Sequence, residues 1–425
     1  MLNHRDWPDP SQRPDTGATR SLRVLALSYE TPAYPAAGGP SRQSALLEPL
    51  AQRHRIRVLS TGGPPVFGSM PEGVEIRLID PGLPASLPNE SWFRRNARHY
   101  FVGGPWLYVL ALHHVRALSA ALHEEIRSFE PDLVVVEHEE LAPLLDCVPP
   151  GIPTALVLHN MLLEVQWQNR RSRRAWESFK AWMELFVLAR EERRALKKAT
   201  VTVVVSELSA QLAHALRRSA HTALIPNCVN TSYFRREGPR AGRPVIVMTA
   251  SYHYPPNQVG AREMLERVFP TVRAQIPDAE LRLVGQQMPP WLEALAKSTS
   301  GARAVGAVND VRPHLQDAWV AVAPLRLGSG SPLKVLEALS MEVPVVATPR
   351  VQKSLGLSAA EGLTTADRPD DLARAIAGLL SEPDRIARLG EAGRAAVAQR
   401  FDNRRLALDL ERAWIEVTER NPGRP

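Results

Sequence analysis

One stretch of the sequence concentrates residue types that together can hold a phosphate and a sugar: Leu327-Gly328-Ser329-Gly330-Ser331-Pro332-Leu333-Lys334-Val335-Leu336-Glu337. Ser331 is a good helix N-cap, and Pro332 suits the first helical position. Glycines just before such a helix let the backbone approach a ligand closely. The free amides and positive end of the helix favour a diphosphate. Lys334 falls in the first turn, where its ammonium would neutralise phosphate charge. Glu337 lies three residues on and shares that helical face, so its carboxylate can accept bonds from two sugar hydroxyls. The bland alternative is a capped surface helix with an ordinary Lys–Glu pair. The choice of cation argues against it. Lys and Arg total 52, and only six of them are Lys, so a Lys here is informative.

Such a segment needs a scaffold. Short β-branched runs alternate with helical patterns along the chain. The predicted strands are Leu22–Ser28, Ile56–Ser60, Leu133–Glu137, Thr154–His159 and Val201–Val205, then Val245–Thr249, Leu281–Val284, Val320–Ala323 and Val345–Thr348. Helical segments between them include Ser41–Ala51, Asn257–Ala274 and Leu333–Met341. Apolar strands alternating with helices predict an α/β fold with buried parallel sheets. The stretch Arg235–Pro244, rich in Arg, Gly and Pro, reads as a linker between two such domains. In open α/β sheets ligands bind beyond the carboxyl ends of the strands. The unusual residues gather at those ends: Glu30–Gly39, His159 with Asn160, Ser251–Asn257 and Pro324–Lys334. Facing domains would bring all four into one cleft.

The composition excludes several classes. The chain has 425 residues, 44% of them hydrophobic, with a net charge of +7. Two cysteines, Cys147 and Cys228, make neither a disulfide scaffold nor a zinc site. Residues 1–20 are polar and Pro-rich, without the apolar run of a signal peptide, and are expected to be a disordered tail. No run reaches 18 apolar residues, so a spanning helix is not expected. Much of the positive charge is local: Arg170–Lys198 holds ten cations and four carboxylates. There Trp176, Phe179, Met183, Phe186 and Val187 recur at helical spacing, which predicts an amphipathic helix packed on a sheet. Between Trp92 and Tyr108, aromatics and arginines mix without a period, which suits an acceptor-facing or membrane-interface loop. Basic clusters alone do not indicate nucleic acid, which is not an expected partner.

Together these motifs resemble the family 4 glycosyltransferases, retaining enzymes of the GT-B fold that use nucleotide sugars. The resemblance runs from about Leu22 to Val417. It is carried by Tyr34-Pro35-Ala36-Ala37-Gly38-Gly39, by Val157-Leu158-His159-Asn160, by Val203–Glu207, by Ile225-Pro226-Asn227-Cys228-Val229-Asn230, and by Pro324–Lys334 through Glu337 to Thr348. Tyr254-Pro255-Pro256-Asn257-Gln258 and Pro324-Leu325-Arg326 are similar to bacterial members that build exopolysaccharides. The resemblance implies two Rossmann-like domains: residues 21–228 for the acceptor and 229–401 for the donor, with a helix at about 402–419 returning to the first. It implies that Glu337 binds the ribose, Lys334 the diphosphate, and His159 the donor hexose. The amides of Gly330, Ser331 and Leu333 would face the diphosphate and sugar, and Gly38 and Gly39 would let the first loop approach the donor. Two departures stand out. Ser329 occupies the place, eight positions before Glu337, where the family often has a Glu. After the first strand of the second domain, Ser251 is followed by Pro256 and Asn257 where the family often has a Lys. Lys334 and Arg326 are left to compensate.

The expected reaction moves a hexose-type sugar, with retention, from a nucleotide-diphosphate donor to a glycan or lipid-linked acceptor. No carboxylate stands out as a nucleophile, Glu30 and Glu164 being near the right segments without support. The family's front-face route then applies, in which the leaving diphosphate accepts the acceptor's proton. No Asp-x-Asp motif is present, so neither a metal nor another cofactor is expected. The expected location is cytoplasmic, with peripheral contact at the inner face of the membrane. A nucleotide-sugar epimerase of GT-B fold and a non-catalytic nucleotide-sugar-binding homologue remain as alternatives.

Overall fold

The computed structural model describes residues 20–35, 38–66, 68–82, 107–159, 161, 163, 175–326 and 331–420. The N-terminal tail, Trp92–Trp106, Asn160, Glu164, Arg170, Ser329 and Gly330 lie outside these residues.

The described chain forms two parallel sheets. The first has seven strands: β1 (Arg23–Ser28), β2 (Arg55–Ser60), β3 (Val74–Leu78), β4 (Leu133–Glu137), β5 (Thr154–Leu158), β6 (Val201–Val204) and β7 (Thr222–Leu224), in the order β3-β2-β1-β4-β5-β6-β7. The second has six: β8 (Val245–Thr249), β9 (Glu280–Val284), β10 (Ala302–Gly306), β11 (Val320–Ala323), β12 (Val345–Ala347) and β13 (Leu363–Thr365), in the order β10-β9-β8-β11-β12-β13. Both sheets reverse direction of growth beside their first strand. Such a reversal leaves a crevice at the carboxyl ends. The central strands are buried on both faces, as their unbroken Val, Leu and Ile runs require.

The helices that bear on the site are α1 (Gly39–Ala51), α2 (Leu107–Phe129), α3 (Ala175–Lys198), α4 (Leu333–Ser340), α5 (Pro349–Leu355), α6 (Pro383–Phe401) and α7 (Asn403–Glu419). The segment expected as one helix over Asn257–Ala274 is helical over Pro255–Glu263, makes a π-turn over Met264–Val268, and resumes over Phe269–Gln275. The buried face of α3 is carried by Leu185, Leu188 and Leu196, whereas Phe186 is 70% exposed. Of the expected stripe, Phe186 points away from the face that packs, and the side chains of Trp176, Phe179 and Met183 lie outside the described ones.

The chain crosses between the two sheets twice, and the crossings are bonded to each other. The Val229 amide donates to the Phe401 carbonyl at 2.9 Å, and the Asn403 amide to the Val229 carbonyl at 3.1 Å. After the second crossing, α7 lays Leu406, Leu410, Trp414 and Val417 against the core under the first sheet. Asn403 donates to the Ala45 carbonyl of α1 at 2.9 Å. His54 anchors the helix further along. Its Nδ1 accepts from the Leu22 amide at 3.2 Å, so its Nε2–H donates to the Glu411 carboxylate at 2.8 Å.

Candidate active site

A cleft of about 850 Å³ runs between the carboxyl ends of the two sheets. Its C-terminal wall is built around α4. That helix starts at Leu333 with Pro332 as its N-cap, one residue later than the sequence suggests. Ser331 is therefore not the cap. It is 4% exposed, and its Oγ has no hydrogen-bond partner among the described residues. Its carbonyl accepts from the Asn227 side chain at 2.6 Å, which ties the donor loop to the first crossing segment.

Lys334 and Glu337 both line the cleft. The Lys334 ammonium donates to Asn257 Oδ1 at 2.7 Å, and the Asn257 amide donates in turn to the Ser251 carbonyl at 2.8 Å. Asn257 thus holds the cation rather than contributing one. Burial pushes the Lys334 ammonium down to about 8, against the pull of Glu337. Burial likewise pushes the Glu337 carboxyl up to about 7, and Lys334 only partly offsets this. Two opposite charges are held in a site that solvates neither well. An anion placed beside the lysine would favour its charged form.

The rest of this wall comes from neighbouring strand ends. Ser251 and His253 follow β8, with Ser251 Oγ and His253 Nδ1 2.7 Å apart. Gly285 follows β9 at φ 144°, and a Cβ there would run into the Ala250 carbonyl oxygen. Val308 and Asn309 follow β10, and Arg350 opens α5. Arg326, expected as a compensating cation, does not line the cleft. Its guanidinium is bonded to Glu263 at 3.0 Å and to Asp367 at 2.5 Å. Those two carboxylates turn it away, and the second described cation lining the cleft is Arg350. The sequence held no signal for Arg350, because it lies sixteen positions after Lys334, on the next strand's helix.

The N-terminal wall is assembled from separate segments. Gly38 caps α1 at φ 60°, a conformation that favours glycine. His159, at the end of β5, donates from Nε2 to the Glu137 carboxylate at 2.9 Å. Burial, reinforced by the neighbouring His138, pushes its imidazole down to about 4. It is therefore neutral near pH 7, and with Nε2 carrying the proton its Nδ1 is an acceptor. Burial raises the Glu137 carboxyl, but His159, Arg42 and His138 more than offset this and hold it below its ordinary value. Arg42, one turn into α1 and 2% exposed, also donates to the Ile225 carbonyl at 2.8 Å. Tyr34 joins the walls. Its hydroxyl accepts from the Asn230 amide at 3.2 Å, and its ring packs edge-on against Tyr233 and Phe234.

Among the described residues no group of three or more His, Cys, Asp or Glu is arranged to hold a metal ion. No helix among them is long and apolar enough to cross a membrane.

Two parallel-sheet domains with this cleft between their carboxyl ends define the GT-B architecture of glycosyltransferases. Two family models match the sequence: Glycosyltransferase Family 4 over residues 44–233, and Glycosyl transferases group 1 over residues 243–382. The chain belongs to this group of glycosyltransferases. No curated protein sequence matches it. Among solved structures it is similar to a sucrose-phosphate synthase from Thermosynechococcus elongatus, with a TM-score of 0.71 and 17% identity over 94% of this chain and 100% of that one. It is similar to Anabaena HepE in complex with UDP and glucose, with a TM-score of 0.59 and 14% identity over 92% and 99%. It is also similar to WaaG, a glycosyltransferase involved in lipopolysaccharide biosynthesis, with a TM-score of 0.60 and 15% identity over 93% and 99%.

Proposed function

We propose that the protein transfers a hexose-type sugar, with retention, from a nucleotide-diphosphate donor to a glycan or lipid-linked acceptor in the assembly of a polysaccharide or glycoconjugate. The observation that carries this reading is the pair Lys334 and Glu337, side by side on the helix that opens into the cleft. Glu337 receives the ribose hydroxyls. Lys334 and the first-turn amides of α4 receive the diphosphate. His159 offers Nδ1 to a hydroxyl of the hexose.

In the reaction, an acceptor oxygen attacks the anomeric carbon as its bond to the diphosphate breaks. The acceptor's proton passes to the leaving phosphate oxygen, so no enzymic base and no metal are required. The chain's contribution is charge stabilisation at the diphosphate, by groups already oriented before the reaction, and exclusion of water between the walls. A place at the inner face of a membrane is supported by the exposed Phe186 and the basic end of α3.

A screen of UDP-, GDP- and ADP-sugars, read by slow release of nucleoside diphosphate, tests the proposal. Release from one donor class supports transfer. Interconversion of the sugar without release would make the protein an epimerase, and binding without turnover a non-catalytic homologue.

A further inference from the structure

The wall opposite Lys334 carries, beside His159, groups that donor binding leaves unused. Tyr29 stacks on His138, and His138 stacks on His159, with ring centroids 4.2 Å apart in both pairs. His138 is 4% exposed, and its backbone sits at φ 76°, which is uncommon outside glycine. Its Nε2 lies 3.3 Å from the Glu30 carboxylate but is not aligned on it, so this buried nitrogen has no hydrogen-bond partner among the described residues. His138 does not itself line the cleft, and its unpaired nitrogen lies behind Glu30, which does.

Glu30 lines the cleft with its side chain 36% exposed. It also lies against the start of α1, because a Cβ at Gly39 would collide with its carboxylate oxygen. The first-turn amides and the positive end of that helix attract an anion. The Glu30 carboxylate lies close to that end of the helix. The charges of the two walls differ accordingly. Among the described cleft residues, the N-terminal wall has no Lys or Arg, whereas the C-terminal wall has Lys334 and Arg350.

We propose that Glu30, with His138 beside it, receives a hydroxyl of the acceptor, and that the acceptor presents an uncharged sugar to this wall rather than a phosphorylated one. The proposal rests on the transferase reading above. The carboxylate accepts the acceptor's O–H, and the buried ring nitrogen of His138 pairs with Glu30 once the sugar aligns that carboxylate. Glu30 positions the acceptor, and the proton of the attacking hydroxyl still leaves on the diphosphate. Among the described residues, a substrate phosphate at this wall would meet the Glu30 charge with no Lys or Arg to offset it.

The test uses the full chain saturated with UDP. Saturation-transfer NMR follows methyl glycosides of glucose, galactose and mannose beside glucose 6-phosphate. The ratio of nucleoside diphosphate release with and without each sugar is measured with the donor that the screen selects. The wild type is expected to bind at least one neutral glycoside and not the phosphorylated sugar. Glu30→Ala should lower the release ratio about tenfold or more, by loss of a charge-assisted hydrogen bond. Glu30→Gln should keep part of it, since an amide oxygen still accepts. Glu30→Lys should turn the preference toward glucose 6-phosphate. The proposal is overturned if Glu30→Ala keeps the wild-type ratio, if glucose 6-phosphate binds the wild type as well as the neutral sugars, or if no neutral glycoside binds the UDP complex. A wild type that fails to bind any nucleotide would instead sink the donor reading.

Discussion

The two walls of the cleft solve the same problem of placing polar groups in different ways. The C-terminal wall draws its chemistry from one short helix, where Lys334 and Glu337 are three residues apart. The N-terminal wall draws on four separate segments, bringing together Tyr29 and Glu30, Gly38 to Arg42, Glu137 and His138, and His159. On the first wall burial leaves two opposite charges poorly solvated and ready for a charged ligand. On the second, His159 is paired with Glu137, while the Glu30 carboxylate beside α1 and the His138 nitrogen behind it are left to a hydroxyl. The difference suggests a division of labour: the C-terminal wall handles the charge of a diphosphate, and the N-terminal wall handles hydroxyls.

Substitutions break this contrast at different depths. Lys334→Ala should reduce donor turnover about a hundredfold or more, because charge builds on the diphosphate in the transition state. Lys334→Arg should recover only part, since a guanidinium differs in shape from the ammonium that fits Asn257. Steady-state release of nucleoside diphosphate measures both, and a near wild-type rate for Lys334→Ala would move the role to Arg350. Glu337→Ala should weaken nucleotide binding about ten- to a hundredfold, the worth of a charge-assisted bond to a ribose hydroxyl. Unaltered binding by calorimetry would contradict the ribose role.

A pH series sharpens the contrast without mutation. Diphosphate binds the protonated lysine, so affinity should hold below about 8 and decline as pH rises through the Lys334 value, by at most about tenfold per unit. Glu337 is a carboxylate above about 7, which sets the lower edge of the optimum. His159 stays neutral across this window, its value lying near 4, so His159→Asn should leave the profile's shape unchanged. A profile whose upper limb survives Lys334→Ala would contradict the assignment. The smallest effect is expected at Asn257. Loss of its bond to Lys334 in Asn257→Ala should raise the donor KM about fivefold, with a modest change in kcat.

The legibility of the sequence followed the same division. All nine strands read from apolar runs are present, and the four not foreseen, β3, β7, β10 and β13, are the four sheet edges. Edge strands are half-exposed, so Val74–Leu78 reads Val-Glu-Ile-Arg-Leu and Ala302–Gly306 carries Arg303, with no buried run to detect. The Lys334–Glu337 helix was legible because its residues are local in sequence. The Tyr29–His138–His159 stack was not, because 109 positions separate its first two members. Arg326 was misread for the opposite reason. It sits close to the motif in sequence, but Glu263 and Asp367, which claim it, come from distant segments.

The most direct test of the account compares the binding of uridine, UMP and UDP to the wild type, Glu337→Ala and Lys334→Ala by calorimetry, with the guanosine or adenosine series used if the donor screen selects that base. The account predicts that the wild type gains affinity with each phosphate. Glu337→Ala should weaken all three ligands by a similar factor, since the ribose is common to them. Lys334→Ala should leave the nucleoside nearly unchanged and remove most of the gain from the phosphates. A Lys334→Ala variant that keeps the wild-type ratio of UDP to uridine affinity would contradict the central claim that this wall is built for a diphosphate.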